Sequence, residues 1–443
     1  MKSHPPTSIR TYCAAMGHLA GVLRSLREDA AITQDELAER AGLSTRTISD
    51  IERGLRKRLY RDTAERLAAA LGLSGADHEE FIAHARGRTP DVSRGLDAEF
   101  RRRFVAWHLG RVTELADCLG SEDQWYALLD ADEPNLTVAL RWAAEDRDTE
   151  SLLLPGVGLW RYWQARGALT IGREWLERGL NASPTTTSST RMLALWGLAW
   201  LAYQQGDDAA ARACAEELAA LAAQTSDPVA WRNVATVSGI VALAQDDVAD
   251  AVRNLDRALL LVRDLDQPWL FATSLLNLGI AHIAAGATAE ARTLIGEALW
   301  RYADLGDERF RARSLGYLGL AALVDGDPLR GGSLFAQSLS VFESLSEPKG
   351  IAEGLTGLGV AAATRGELVR AGRLGGAAER LRESFAGRPL PVERRLAEAE
   401  FARARDALGA ERWLDAWTTG RALRQEEAVA VALEPQRAHV RGE

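Results

Sequence analysis

The sequence has few cysteines, and they lie far apart in a chain of 443 residues. Cys13, Cys118 and Cys214 match no metal-binding spacing, and neither do the seven histidines. This usage argues against a disulfide-stapled secreted domain and is typical of a reducing compartment. We therefore expect a cytoplasmic protein without a metal ion or other cofactor.

Long apolar runs are also absent. Residues Met1–Thr11 contain no apolar stretch of the kind a secretory signal needs. The most apolar segment, Met192–Tyr203, is about half as long as a membrane crossing. We expect no membrane partner.

Sequence motifs of common enzymes are missing. The three lysines, Lys2, Lys57 and Lys349, stand in no Gly-x-x-x-x-Gly-Lys phosphate loop. No Gly-x-Ser-x-Gly motif, catalytic carboxylate pair or Cys–His arrangement is recognisable. We expect that the protein is not an enzyme.

Charge is distributed unevenly along the chain. Residues 1–103 hold 18 Lys and Arg against 15 Asp and Glu, whereas the remainder holds 35 against 47, for a net charge of −9. A mildly basic head on an acidic body is typical of a protein whose head meets a polyanion.

The head, residues 17–86, has the pattern of five short helices. Apolar residues recur at helical spacing in the first of them, at Leu19, Val22, Leu23 and Leu26. Thr33 and Glu36 form a capping box that opens a second helix, and Gly42 breaks the chain after it. Ser44 is the N-cap of a third helix, which ends near Gly54.

Two further helices complete this pattern. Ile48 and Ile51 are the expected inward residues of the third helix. Asp62 opens a third capping signature and hence a fourth helix, and Ala76–Arg86 forms the fifth. Residues Thr33–Gly54 resemble the Xre-type (phage repressor, Cro-like) helix-turn-helix family, over about 70 residues in all.

The resemblance implies that the third helix enters the major groove of an operator. The residues implied to face the bases are Ser44, Thr45, Arg46, Thr47, Ser49 and Asp50. Arg46 is the candidate for a bidentate contact to guanine. Phosphate contacts are implied for Gln34, Arg53, Arg56, Lys57 and Arg58. Arg56–Arg58 as a solvated charge run, Asp50 as a helix-orienting acid, and a head used for protein contact remain alternatives.

The body repeats with a period of 40 residues. The period is visible at five turn positions: Gly206, Asp246, Gly286, Gly326 and Gly366. Seven residues earlier, small residues stand at Ala199, Gly239, Gly279, Gly319 and Gly359. Five residues later, they stand at Ala211, Ala251, Ala291, Gly331 and Ala371. Small residues are needed where two antiparallel helices cross closely.

This pattern resembles the tetratricopeptide repeat, with helices longer than in its 34-residue form. Trp160–Leu180 is a looser earlier repeat with Gly167 at its turn, and capping helices follow Arg388. Glu133–Glu145, Leu159–Leu180 and Ala416–Leu433 also resemble the tails of large bacterial regulators that carry a signal-transduction ATPase. The ATPase itself is missing, so nucleotide binding is not carried over.

In such a superhelix, the first helix of each repeat lines a concave groove. The groove residues predicted by counting back from the turns are Trp196, Trp200, Tyr203, Asn233, Thr236, Thr273, Arg313, Glu353 and Thr356. This groove suits a peptide or a small amphipathic molecule, although aromatic residues at helical spacing are also common in cores. We interpret Asn277 as structural, and Trp231, Trp269 and Trp300 as packing residues.

The sequence therefore predicts an all-α protein, a five-helix repressor-like head followed by a tetratricopeptide-like α-solenoid. The predicted segments are a disordered N-terminus (1–16), the helix-turn-helix domain (17–86), a linker (87–96), a helical connector (97–150), the repeats (151–388), and capping helices with a tail (389–443).

The predicted function is a sequence-specific DNA-binding transcription regulator. Its partners would be a double-stranded operator and a peptide, small molecule or protein in the repeat groove. An interaction scaffold and a peptide-pheromone receptor with a DNA-binding head are the alternatives. The sequence leaves the operator, the direction of regulation, the effector and homodimer formation open.

Overall fold

A computed structural model describes residues 19–30, 32–53, 59–86, 98–116, 122–183, 189–385 and 388–441. The chain separates into two compact units, residues 1–110 with 129–151 and residues 111–128 with 152–443. All regular elements of the described residues are helices, in agreement with the predicted all-α class. None of the helices in these ranges combines the length and the hydropathy of a membrane-spanning segment. The predicted N-terminal segment 1–16 and the linker 87–96 lie outside the described residues.

Five helices form the head of the first unit. They are α1 (Leu19–Asp29), α2 (Gln34–Ala41), α3 (Thr45–Glu52), α4 (Arg61–Ala70) and α5 (Gly75–Ala85). The capping box is confirmed, since Glu36 N donates to Thr33 Oγ1 at 3.2 Å and Thr33 N donates to Glu36 Oε2 at 2.7 Å. Gly42 is left-handed, with φ of 60°. Thr47 N donates to the Ser44 hydroxyl at 3.1 Å, as predicted for an N-cap.

One predicted cap is wrong. Asp62 does not open α4, because the helix begins at Arg61 and Tyr60 is the N-cap residue. The backbone N–H of Ala64 already donates to the Tyr60 carbonyl at 3.0 Å, so Asp62 lies within the first turn. Its carboxylate is placed to favour the helix dipole and not to cap it.

A single apolar core joins these five helices. The predicted inward residues Ile48 and Ile51 are fully buried, as are Leu23 of α1, Leu37 of α2 and Leu67 of α4. Burial of large aliphatic side chains contributes about 1.5–3 kcal/mol each. This core holds α3 with one face turned inward and the other toward solvent.

Two longer helices, α6 (Ala98–Ala116) and α7 (Glu122–Glu145), follow the head. Within the first unit, the ring of Phe104 lies 5.0 Å from that of Trp142. Arg101 Nη2 contacts Glu145 Oε2 at 2.8 Å, and His108 Nδ1 lies 2.8 Å from Asp132 Oδ2.

The second unit is a series of antiparallel helix pairs. After α8 (Thr149–Leu153) and a 3-10 turn (Leu154–Gly156), the helices are α9 (Leu159–Ala165), α10 (Leu169–Ala182), α11 (Ser189–Gln204), α12 (Asp208–Ala222), α13 (Pro228–Ala244), α14 (Val248–Val262), α15 (Pro268–Ala284), α16 (Thr288–Asp304), α17 (Glu308–Val324), α18 (Pro328–Ser344), α19 (Pro348–Thr364), α20 (Leu368–Phe385), α21 (Pro391–Leu408), α22 (Ala410–Ala422) and α23 (Gln425–Arg441). The 40-residue period is confirmed from α11 onward.

The five predicted turn residues all take the left-handed conformation. Their φ angles are 83° at Gly206, 63° at Asp246, 74° at Gly286, 77° at Gly326 and 81° at Gly366. Asp246 is the one residue of the five with a side chain, and aspartate is among the residues that tolerate this region. A positive φ at this point ends the first helix and starts the second.

The predicted small residues lie where paired helices cross. A Cβ added to Gly279 of α15 would stand 2.4 Å from Ile295 Cγ1 of α16. The same atom on Gly239 would stand 2.6 Å from Leu255 Cγ. Because real Cβ atoms do not approach so closely, each crossing requires a small residue.

The repeat array closes on itself, which the sequence pattern does not predict. The Arg388 N–H donates to the Gln204 carbonyl at 3.1 Å, which joins the segment after α20 to the end of α11. The Arg166 guanidinium donates to the Leu345 carbonyl at 3.1 Å. Both contacts join residues about 180 positions apart in the chain, so distant parts of the array are held together.

Candidate functional site

The first candidate site is the solvent-facing side of α3. Ser44, Thr45 and Arg46 are exposed, whereas Thr47, Ser49 and Asp50 are partly buried. The six residues predicted to face bases therefore extend from the N-cap of α3 along the helix to Asp50, and their contacts to DNA stay a prediction.

Two hydroxyls at the N-terminal end of α3 have hydrogen-bond partners within the domain. Ser44 Oγ lies 2.9 Å from Thr47 Oγ1 and caps the helix. Thr45 Oγ1 donates to Asp35 Oδ1 at 2.6 Å, which joins α3 to α2. The exposed Arg46 guanidinium has no hydrogen bond or ion pair to any described residue. Of the residues in the first turn of α3, Arg46 is the one whose charged head is available to an external ligand.

The carboxylate of Glu52 holds α1, α2 and α3 together. Its side chain is 1% exposed and accepts from Arg27 Nε at 2.7 Å and from Arg27 Nη2 at 3.2 Å. Gln34 Nε2 donates to the same carboxylate at 2.7 Å. The Glu52 carboxylate, mainly through its hydrogen bond, raises the pKa of Arg27. Gln34, predicted to contact phosphate, therefore has its amide nitrogen engaged within the domain.

The turn between α2 and α3 is held by Arg66 of α4. Arg66 Nε donates to the Ala41 carbonyl at 2.8 Å, and Nη2 donates to the carbonyl of Gly42. A Cβ at Gly42 would lie 2.5 Å from Arg66 Nη2, in addition to the strain of its positive φ. Glycine at this position allows both the turn and the arginine contact.

Basic residues predicted to contact phosphate are only partly described. Arg53 is exposed at the end of α3. Arg56, Lys57 and Arg58 lie outside the described residues. Sequence reasoning did not single out Tyr60, two residues after Arg58, which is 88% exposed.

The second candidate site is a cavity inside the repeat array, with an empty volume of about 870 Å³ that is partly open to solvent. Six of the predicted groove residues line it, namely Trp196, Trp200, Tyr203, Thr273, Arg313 and Glu353. Binding of a ligand by these residues stays a prediction.

Aromatic rings form two walls of the cavity. On one wall, the rings of Trp160 and Trp196 are 6.4 Å apart at 90°, and those of Trp196 and Trp200 are 5.7 Å apart at 80°. On the other, Trp269 and Phe310 are 5.2 Å apart at 78°. Such edge-to-face pairs are rigid and bury large apolar areas.

Three predicted groove residues do not line this cavity. Asn233 Oδ1 accepts from Arg232 Nη1 at 3.0 Å, and Thr236 Oγ1 donates to the Arg232 carbonyl at 2.9 Å. Thr356 accepts from Arg382 and lines a separate depression beside α21 and α22. Counting from the turn placed them on the correct helices, but the rotation of each helix directs these side chains elsewhere.

Two residues interpreted as structural do line the cavity. Asn277 is 93% buried and borders it, and so does Trp269, whose Nε1 donates to Asp307 Oδ2 at 2.9 Å. Trp300, predicted to pack, is instead 66% exposed. The repeat period predicts the position of a residue along its helix. The packing of the helices in the array decides whether that residue lines the cavity or is exposed to solvent.

The cavity also has lining residues that sequence reasoning missed. Among them are Trp160, Gln164, Gln204, Arg388 and Leu390. Arg388 and Leu390 follow α20, and no local sequence pattern predicts that this segment lies beside the end of α11. Gln204 directly follows Tyr203, so its proximity to the groove could have been inferred.

Buried arginines surround this cavity. Arg232 is 1% exposed, and burial lowers its pKa to about 10, which leaves it charged at neutral pH. Arg313 Nη2 donates to Glu347 Oε1 at 2.8 Å, and Arg309 Nη2 reaches the same oxygen at 3.3 Å. Burial acts to raise the pKa of Glu347, but the two arginines outweigh it, so that this pKa is lowered.

Within the part of the chain that the structure covers, no group of three or more His, Cys, Asp or Glu residues could hold a metal ion.

No curated protein sequence matches the chain. Several solved structures are similar to it. BtubC from P. vanneervenii is 18% identical, with 51% of this chain and 93% of that chain covered and a TM-score of 0.37. A Rap protein complexed with Competence and Sporulation Factor is 12% identical, with 77% and 98% covered and a TM-score of 0.48.

Bacillus thuringiensis PlcR, in complex with the peptide PapR7 and DNA, is 12% identical, with 74% of this chain and 98% of that chain covered and a TM-score of 0.30. At the N-terminus, residues 18–81 match the helix-turn-helix domain family. This match spans α1 to α4 and most of α5. Residues 18–81 are therefore a helix-turn-helix domain.

Proposed function

We propose that the protein is a sequence-specific DNA-binding transcription regulator, not an enzyme, whose repeat array senses an effector. The observation that carries the DNA-binding proposal is the exposed first turn of α3 in a matched helix-turn-helix domain. Arg46 projects there from a helix held in place by Glu52 and Arg66. A positioned helix end with a guanidinium that bonds to none of the described residues suits bidentate recognition of guanine.

The effector proposal is supported by the cavity of the second unit. It combines aromatic walls with buried polar side chains, the usual composition of small-ligand sites. Effector binding to the array would regulate DNA binding if the protein has two states that differ both in effector affinity and in DNA affinity.

Selection of binding sites from random duplex DNA by the full chain tests the first part. We expect an enriched motif for the wild type. In Arg46→Ala, preference at one base pair should fall by about 1–3 kcal/mol. In Arg53→Ala, binding to all sequences should weaken, and the slope of log K against log salt should decrease by about 1.

Arg253→Ala is the charge-matched control, because it removes an exposed arginine from the repeat array. It should leave both the motif and the salt slope unchanged. No enriched motif, or a motif that is identical in Arg46→Ala, would contradict sequence-specific reading by α3. DNA binding without salt dependence would favour an interaction scaffold.

A further inference from the structure

The cavity of the repeat array contains buried hydrogen-bond donors that have no acceptor. Four nitrogens of its lining residues lack a partner in the described part of the chain: Trp200 Nε1, Gln204 Nε2, Asn277 Nδ2 and Arg313 Nε. Gln204 and Asn277 are 96% and 93% buried. The indole and guanidinium nitrogens can only donate. A buried donor without an acceptor destabilises the folded chain, so a ligand that supplies acceptors would recover this cost.

Cations outnumber anions among the charged residues that line the cavity. Arg313, Lys349 and Arg388 line it together with Glu353, and each of the three cations is paired with a carboxylate, that of Glu347, Glu353 and Asp208 respectively. Beyond the lining, the buried Arg232 guanidinium bonds to Ser274 Oγ at 3.2 Å and to Asn233, both neutral. Because burial weakens the screening of charge, this arrangement favours an anion in the cavity.

The aromatic walls do not form a cage for a cation. Guanidinium groups of the chain already lie over their rings. Arg161 Cζ is 4.2 Å from the Trp269 ring centre, Arg232 Cζ is 5.2 Å from that of Trp196, and Arg388 Cζ is 4.9 Å from that of Tyr203. A cationic ligand would compete with these arginines for the ring faces and be repelled by them.

We propose that the cavity binds a small organic acid, whose flat apolar body lies between the two aromatic walls and whose carboxylate accepts hydrogen bonds from Trp200, Asn277 and their neighbours. This ligand class rests on the proposed effector-sensing function and narrows it. The site suits a compact ligand, because Arg388 and Leu390 line it from beyond α20 and the Arg388 N–H binds the Gln204 carbonyl.

Three probes with the same ring system and different charge test this proposal. They are 2-naphthoate, the neutral 2-naphthamide and the cationic 2-naphthylmethylammonium, titrated into the full chain without DNA by calorimetry. We expect one 2-naphthoate per chain, bound at least about tenfold more tightly than the amide, since hydrogen bonds to a charged acceptor are about twice as strong. The cation should bind most weakly.

Two variants locate the carboxylate. Trp200→Phe keeps a ring and removes the N–H, and Asn277→Leu removes the amide; each should weaken 2-naphthoate by about tenfold. Trp417→Phe is the matched control, because Trp417 Nε1 donates to Glu379 Oε2 and does not line the cavity. Its 2-naphthoate affinity should stay that of the wild type. Circular dichroism verifies folding, and Trp200→Phe alone suffices if Asn277→Leu does not fold.

The proposal is overturned if the amide or the cation binds as tightly as 2-naphthoate, if none of the three binds, or if Trp200→Phe matches the wild type. A pool of acetylated hexapeptides that raises the melting temperature when 2-naphthoate does not would assign the cavity to peptides. DNA selection is independent of these titrations. If 2-naphthoate does not bind, the DNA-binding proposal can still be tested. If no DNA motif is enriched, the titrations can still test the ligand proposal.

Discussion

At the scale of single residues, one buried carboxylate decides how the first three helices of the head are arranged. Glu52 lies at the end of α3, its side chain is 1% exposed, and it accepts from Arg27 of α1 and Gln34 of α2. The Arg27 side chain is 13% exposed, so both charges are largely removed from water. Loss of one partner would leave the other buried without compensation.

Glu52→Gln should therefore destabilise the helix-turn-helix domain by about 3 kcal/mol, because Arg27 would lose a charged acceptor in a buried position. Urea unfolding followed by hydrogen exchange in α1 to α3 would measure the change. Glu28→Gln is the control, since Glu28 contacts the same arginine at 3.5 Å but is 60% exposed. It should change the free energy of unfolding by less than about 0.5 kcal/mol. Equal effects of the two substitutions would contradict the role of burial.

Side-chain contacts between residues close in the sequence could be predicted, whereas contacts between residues far apart in the sequence could not. The capping box of Thr33 and Glu36 involves residues three apart and follows from their types alone. No local sequence pattern marks Glu52 as a buried carboxylate. Its partner Arg27 lies 25 residues away, and the packing of α1 on α3 brings the two together.

At the scale of elements, the helix pairs of the array depend on close crossings. Gly279 of α15 faces Ile295 of α16, where an added Cβ would be 2.4 Å from Cγ1. Gly296, one residue further along α16, has nothing within 4 Å of an added Cβ. Two glycines of the same helix pair therefore have opposite requirements.

We expect Gly279→Ala to destabilise the repeat unit by about 1–3 kcal/mol, because the methyl group would push the two helices apart. Gly296→Ala should instead stabilise it by about 0.5–1 kcal/mol, since alanine loses less backbone entropy within a helix. Thermal and urea unfolding of both variants measure the difference. Changes of the same sign would contradict the crossing geometry.

Element boundaries were largely predictable, because turns and crossings repeat. The five turn residues at a spacing of 40 all have positive φ, including Asp246. The fourth helix of the head shows where such a local pattern fails. The capping signature predicts that α4 begins at Asp62, whereas in the structure Tyr60 is the N-cap residue and the helix begins at Arg61.

At the scale of the whole molecule, the array is closed by residues that are remote in sequence. Arg388 Nη1 donates to Asp208 Oδ2 at 3.2 Å, and the two side chains are 28% and 25% exposed. The Arg388 N–H also binds the Gln204 carbonyl. A second bridge joins Arg395 Nη1 to Asp246 Oδ2 at 2.6 Å, but both side chains are about half exposed.

Arg388→Ala should lower the stability of the repeat unit by about 1 kcal/mol, because a partly buried ion pair and the stacking on Tyr203 are lost together. Amide exchange of residues 388–390 should become faster. Arg395→Ala is the matched control, and its more exposed ion pair should contribute less than about 0.5 kcal/mol. Unchanged exchange at 388–390 in Arg388→Ala would show that other contacts hold the closure.

The sequence by itself determined the helix-turn-helix head, the 40-residue period, the turn residues and the small residues at the crossings. These features rest on local capping and turn residues and, in the array, on contacts within one helix pair, which recur with the repeat and are therefore visible in the sequence. Only the tertiary structure decided which residues line the cavity. Arg388 reaches the first repeat pair, Asn277 borders the cavity, and Thr356 turns away from it. Helix rotation and the curvature of the array accumulate over five helix pairs, so no local pattern encodes that outcome.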